Sequence, residues 1–352
     1  MMKIEDFDYE LPAELIAQYP SQKREDSRLI VFRRKSGNLS ETIFSNFINY
    51  LQPGDLLVIN DTKVIPARIL GHKTSGGAVE VFLVRRTGDR KWTSLVKPSR
   101  RIREGTVIEL AGGEEHITII GEVGRGNWEV QLEGELPEYD FIECYGHVPL
   151  PPYIKRPDLD IDSKRYQTVY AEKKGSVAAP TAGLHFSEEI LSAVRRKGCM
   201  ILPITLHIGP GTFRPLEKEN VEENRLSSEV FRIDREYWNI IRLARRERRR
   251  VIAVGTTTTR VLESMAHGEF SERREESEGG REYICGSTSL FIYPGFEFRV
   301  VDALLTNLHL PRSSLFLLVS AFAGRENMLR VYEWAVRRKI RFYSYGDVMF
   351  IT

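Results

Sequence analysis

Five stretches of the sequence combine small residues with groups that can titrate or hydrogen-bond. Residues 175–186, GSVAAPTAGLHF, contain Thr181 and Gly183 and run through His185 to a helix start at Ser187, whose free N–H groups are open to anions or to an adenine edge. A tight loop carrying a surface His is an equal alternative. Residues 205–213, TLHIGPGTF, put His207, Gly209, Gly211 and Thr212 after a strand, where open α/β sheets bind ligands. The Gly-x-Gly turn suits a carboxylate or phosphate, but no ribose-binding acid completes a dinucleotide fingerprint. Residues 254–263, VGTTTTRVLE, pass from strand to helix through Thr256 and Arg260, and the bland reading is a helix cap. Residues 306–314, TNLHLPRSS, carry His309, and residues 341–347, RFYSYGD, carry Tyr343, Tyr345 and Asp347. Both tyrosines could stack on a base, although packing is the commoner use of such aromatics.

Loops of this kind need a sheet behind them. The hydrophobic spacing predicts a helical turn after residue 9, a strand over 27–33 and a helix over 43–51 that stops at Pro53-Gly54. Short β-rich runs follow at 56–59, 79–84, 92–96, 107–110, 117–120 and 128–132, which predicts a small barrel. Helix and strand then alternate: a helix over 188–197, a strand over 200–206, a long basic helix over 235–250 and a strand over 251–254. The expected fold is an α/β main domain, discontinuous over 1–57 and 150–352, with a small β-barrel domain inserted at 58–149. Residues 268–282 lack apolar periodicity and are expected to form a mobile loop.

The chain has 352 residues, enough for two cores, with a net charge of only +2, so affinity for nucleic acid must come from local clusters. One lies over 242–250, with Arg245 and Arg249, and another comprises Arg100, Arg101 and Arg103 beside Lys97. Cys144, Cys199 and Cys285 have neither disulfide nor metal-ligand spacing. No export signal or membrane-spanning run is evident, so a cytoplasmic protein without a membrane partner is expected.

Taken together, these stretches resemble the S-adenosylmethionine:tRNA ribosyltransferase-isomerase family of queuosine biosynthesis, nearly end to end. The resemblance extends to YELP at 9–12, NDTKVIPAR at 60–68, HVPLPPYI at 147–154 and RYQTVYA at 165–171. One departure stands out: where the family commonly has His-x-Met-His-x-Glu, this chain reads Asn224-Arg225-Leu226-Ser227-Ser228-Glu229. The resemblance implies transfer and isomerisation of the ribosyl group of S-adenosylmethionine onto 7-aminomethyl-7-deazaguanine at the tRNA wobble position. The products are epoxyqueuosine-tRNA, adenine and methionine. S-adenosylmethionine is then a co-substrate, with no metal and no tightly bound cofactor, and the protein is expected to be a monomer. With the family's histidine pair missing, the expected catalytic groups are His185, His207 and His309. His185 or His207 would be the base, and Asp347 would hold the amine or a His tautomer. Thr181, Thr212 and Thr256 would orient ribose hydroxyls or the methionine carboxylate. A non-catalytic RNA-binding module and an ordinary methyltransferase are the competing readings; the density of strand-end loops weighs against the first, the missing fingerprint against the second.

Overall fold

A computed structural model describes residues 2–124, 126–209, 211 and 216–352. Ten strands form one mixed sheet, in the order Ser271–Glu278, Arg281–Thr288, Glu229–Asp234, Met200–Leu206, Leu56–Asn60, Val251–Val254, Ala303–Asn307, Val348–Ile351, Arg28–Arg33 and Asn38–Ile43. Its central strands are buried along their whole length because helices cover both faces. Phe44, Phe47, Leu191 and Val194 pack on one face. The other face carries the helices Arg235–Arg246, Thr256–His267, Ser314–Ala323 and Arg325–Arg337 over a larger apolar core.

The second sheet closes on itself. Strands Arg68–Lys73, Ala78–Gly88, Lys91–Lys97, Asn127–Glu133, His116–Gly124 and Val107–Glu109 pair in that order, and the last returns to the first. Alternating burial along these strands fills the barrel with its own apolar core, and the helix Glu138–Tyr145 follows the last barrel strand in sequence. Two connections carry the chain into and out of the barrel, and they pair in parallel as Thr62–Val64 and Lys173–Ser176.

Several local expectations are corrected. The run at 56–59 belongs to the large sheet, since Leu56–Asn60 lies between the strands Met200–Leu206 and Val251–Val254. Residues 268–282 are no loop: Ser271–Glu278 and Arg281–Thr288 make an edge hairpin turning at Gly279-Gly280. Its strands are held by backbone pairing and by ion pairs such as Arg232–Glu278 at 2.5 Å and Arg235–Glu282 at 2.9 Å, which is why apolar periodicity is missing. The segments after residue 9 and over 43–51 are 3-10 helices, Ala13–Leu15 and Phe44–Tyr50. The basic helix ends at Arg246.

Candidate active site

Four neighbouring parallel strands, Met200–Leu206, Leu56–Asn60, Val251–Val254 and Ala303–Asn307, end at the same edge of the sheet. The strands Arg28–Arg33 and Val348–Ile351 begin at that edge, because they run the other way. The polar loops noted in the sequence therefore meet there. They enclose a recess of about 40 Å³ lined by Thr181, Thr256, Thr306, His309, Tyr343 and Tyr153. Ile208 and Leu315 border both this recess and a much larger cleft of about 830 Å³. The cleft separates Arg85, Thr93 and Tyr139 of the barrel part from His207, Glu229 and Arg260 of the large sheet. Its volume lies in the range that small-molecule sites occupy.

The three histidines have different surroundings. His185 is buried, with Nδ1 2.7 Å from the Ser27 hydroxyl and Nε2 3.1 Å from the Asn307 amide nitrogen, so both ring nitrogens are engaged. Burial drives its pKa down to about 3. His309 borders the recess; its Nε2 meets the Thr306 hydroxyl at 2.9 Å, its carbonyl accepts from the Tyr9 hydroxyl, and burial again lowers the pKa to about 3. His207 lines the cleft, with Nδ1 2.8 Å from the Thr62 hydroxyl and no partner for Nε2 among the described residues. Burial lowers its pKa to about 4, so the ring is neutral near pH 7.

The setting of His207 is built from three strands. Asn60, at a strand end, donates to the Leu206 carbonyl at 3.0 Å and accepts from the Leu206 N–H at 3.0 Å, which clamps the residue before His207. Thr62 begins the entry connection. Gly175 sits at an irregularity in the exit connection, and a Cβ there would lie 2.9 Å from the His207 ring. Only glycine suits that position, since its φ is +143°. Beside Thr62, burial raises the Asp61 carboxyl to about 6, although the Thr205 hydroxyl donates to it at 2.6 Å.

Of the other expected site residues, Thr181, Thr256 and Tyr343 border the recess, while Gly209, Gly211 and Arg260 line the cleft. Arg260 is buried and ion-paired with Glu229 at 2.7 Å. Thr212 lies outside the described residues. Gly183 borders neither cavity: its backbone packs so closely on Tyr170 that a Cβ would come 2.1 Å from the phenol oxygen. Tyr345 is buried and donates to Asp162 at 2.7 Å. Asp347 is buried and bound by the Arg28 and Arg341 N–H groups at 2.9 and 2.8 Å, bracketing two chain segments. Arg100, Arg101 and Arg103 are exposed on the barrel. Arg245 pairs with Asp302 and Arg249 with Glu247, beside the turn that leads into Leu56–Asn60, at the opposite sheet edge from the cleft. In the divergent stretch, the buried Asn224 amide ties down its own loop through Glu217, Lys218 and Asn220, whereas Leu226, Ser227, Ser228 and Glu229 line the cleft.

Sequence reasoning missed Thr62, Gly175 as the seat of the His207 ring, Asp61 and Tyr153. Thr62 and Gly175 both lie in stretches singled out from the sequence, but no spacing signals a contact between Thr62 and His207.

The sequence model of a family described as queuosine biosynthesis protein matches residues 4–351. The chain is 47% identical over 351 residues to the S-adenosylmethionine:tRNA ribosyltransferase-isomerase of Halothermothrix orenii, covering 99% of this chain and 100% of that protein. It is also 47% identical, over 350 residues and with the same coverage, to the protein of that name from Aquifex aeolicus. Among solved structures it is similar to S-adenosylmethionine tRNA ribosyltransferase from Thermotoga maritima, at 34% identity and a TM-score of 0.55, covering 99% of this chain and 100% of that one.

Proposed function

The chain belongs to the queuosine biosynthesis family of S-adenosylmethionine:tRNA ribosyltransferase-isomerases, and from that membership we propose how its own residues carry out the reaction. The enzyme transfers and isomerises the ribosyl group of S-adenosylmethionine onto the 7-aminomethyl-7-deazaguanine base at the wobble position of tRNA. Epoxyqueuosine-tRNA forms, and adenine and methionine leave. S-adenosylmethionine is consumed as a co-substrate; no tightly bound cofactor takes part. The protein works as a cytoplasmic monomer without a membrane partner; no helix among the described residues is long and apolar enough to cross a bilayer.

The observation that carries the residue assignment is His207, neutral near pH 7 and with no partner for Nε2 among the described residues, on the wall of the large cleft. In the tautomer this role requires, Nδ1–H of His207 donates to the Thr62 hydroxyl at 2.8 Å, and the Lys173 carbonyl, 3.5 Å from that hydroxyl, is there to take its hydrogen. The Nε2 lone pair is left free to take a proton. The sulfonium acidifies the ribosyl C–H next to sulfur; His207 removes that proton, and the resulting ylide expels adenine as the sugar ring opens. The aminomethyl nitrogen attacks the activated fragment, and a ribosyl hydroxyl closes the epoxide while methionine leaves with the C–S electron pair. The bulk of the donor lies in the cleft, and Thr181, Thr256 and His309 in the recess, with Tyr343, meet its ribosyl or adenine edge where the two spaces adjoin. Gly209, Gly211, Thr212 and Arg260 meet the methionine carboxylate. His185 and Asp347 position the loops behind the recess, and Arg100, Arg101 and Arg103 contact the tRNA backbone.

Incubation with S-adenosylmethionine and tRNA bearing the aminomethyl base, followed by mass spectrometry, tests the reaction. Epoxyqueuosine together with free adenine and methionine is the expected outcome. A tRNA that binds but stays unmodified would instead favour a non-catalytic RNA-binding module.

A further inference from the structure

Beside the recess lies a basic surface that the reaction chemistry does not use. It is made from two segments, residues 18–26 and 155–165, joined side by side. The Gln18 amide donates to the Tyr153 carbonyl at 2.9 Å and accepts from the Lys155 N–H at 2.7 Å. Arg165 donates to the carbonyls of Ser21 and Gln22 at 2.7 and 3.0 Å, and Arg24 to that of Lys164 at 2.7 Å. Tyr153, which borders the recess, connects this surface to the candidate site.

Its cations are mostly not ion-paired among the described residues. Among the described residues Arg24 and Arg165 donate only to carbonyl oxygens, and burial lowers both pKa values, with Arg165 lowering that of Arg24 further. Lys23, Lys155 and Lys164 are exposed, and no ion pair to them occurs among the described residues. Of the nearby carboxylates, Asp162 is occupied by Arg156 and Tyr345, and Asp158 by His147 and the Val148 N–H. With Arg156 and Asp162 paired, Glu25, Asp26, Asp158 and Asp160 stand against five cations, a net charge of +1, so what distinguishes this surface is that its three lysines are exposed and, among the described residues, unpaired. The same surface exposes a ring: Tyr19 is 56% exposed, and the Arg156 guanidinium sits 4.5 Å over its face. Leu159 and Ile161, in the second segment, are also exposed.

Exposed, unpaired lysines around an exposed tyrosine ring suit a polyanion that also offers unpaired planar rings, which is the chemistry of a single-stranded RNA loop. An acidic protein would satisfy the charges and leave the ring unused. Arg245 and Arg249, the clearest basic cluster in the sequence, have intramolecular partners and lie at the far sheet edge. We propose that the surface formed by Tyr19, Lys23, Lys155, Arg156 and Lys164 is where the anticodon arm of the tRNA docks. Its phosphates would meet the lysines, and an unpaired base next to the reacting one would stack on Tyr19. The proposal rests on the tRNA substrate assigned above.

The test is fluorescence anisotropy of an anticodon stem-loop RNA over a salt series. Wild type is compared with the triple variant Lys23→Glu/Lys155→Glu/Lys164→Glu, with Tyr19→Ala, and with Arg245→Glu/Arg249→Glu. The triple variant should lose about a hundredfold in affinity, and its slope of log affinity against log salt should fall by about one per lysine reversed. Tyr19→Ala should lose about tenfold with the slope unchanged. The Arg245/Arg249 variant should match wild type, and binding of S-adenosylmethionine should be the same in all four. Wild-type affinity and slope in the triple variant would overturn the docking surface and leave the reaction standing. A wild-type chain that binds no RNA would overturn both.

Discussion

His185 and His207 sit in stretches that look equally chemical in sequence, yet their partners give them different work. An imidazole acts as a base only through a free lone pair, and at His185 the Asn307 amide points at Nε2 while Nδ1 meets Ser27. Replacing His185 with Ala removes one bond each from Ser27 and Asn307, which keep the Arg24 and Tyr343 carbonyls as partners, and leaves a buried gap, at a cost of about 1–3 kcal/mol, with turnover per folded molecule retained. Replacing His207 with Ala removes a single bond, that to the buried Thr62 hydroxyl. It should lower kcat by about 10²–10⁴-fold with the fold and the KM for S-adenosylmethionine nearly unchanged. Thermal melts and single-turnover assays on the two variants separate these outcomes; full activity in His207→Ala would remove it as the base. Asp347 follows the logic of His185: its carboxylate is held by two backbone N–H groups, so it serves the fold of the loop.

The element that links fold to chemistry is the pair of connections between the large sheet and the barrel, Thr62–Val64 and Lys173–Ser176. One supplies the hydroxyl that holds His207, and the other supplies the glycine against which the ring lies. Gly175→Ala adds a methyl 2.9 Å from the ring, at a φ of +143° that only glycine adopts without strain. The expected result is a stability loss of about 1–3 kcal/mol and a fall in kcat of about 10²-fold from the displaced ring. Kinetics measured well below the melting temperature check this, and unchanged kcat would show that the ring tolerates the shift. Elements of this scale were only partly legible in the sequence. The strand-end loops were readable because small and hydroxylated residues follow apolar runs, and the barrel because its strands alternate. The run Leu56–Asn60 does not alternate; it is apolar up to Asn60, which marks a strand buried on both faces and separates it from the barrel strands that follow. The hairpin over 271–288 was missed for the opposite reason: it binds through charged pairs, which leave no apolar period to find. The contact between Thr62 and His207 could not be read at all, because strand order, and not spacing, brings the two together.

Across the whole molecule, the packing that forms the site also sets a pH dependence of stability. His185, His207 and His309 have pKa values lowered by burial to about 3, 4 and 3, so near pH 5 all three are neutral in the fold. Once unfolded they return to a pKa of about 6.5 and bind protons, so stability rises with pH in this range. Asp61 acts in the opposite sense: burial holds it protonated up to about 6, and unfolding releases that proton above about 4. Three protons taken up against one released leave a net uptake of about two on unfolding near pH 5, a slope on the order of 2–3 kcal/mol per pH unit. The contribution of the histidines is complete above about pH 6.5 and is lost as the pH falls through 5. Urea denaturation at pH 5 and pH 7 should therefore give a clearly lower midpoint at pH 5, and His207→Asn should reduce the slope by about one proton. Equal midpoints at the two pH values would mean that these rings titrate in the fold as they do in water. In that case His207 would still be neutral at pH 7, and kcat should fall as the pH drops through about 6.5 and not through about 4.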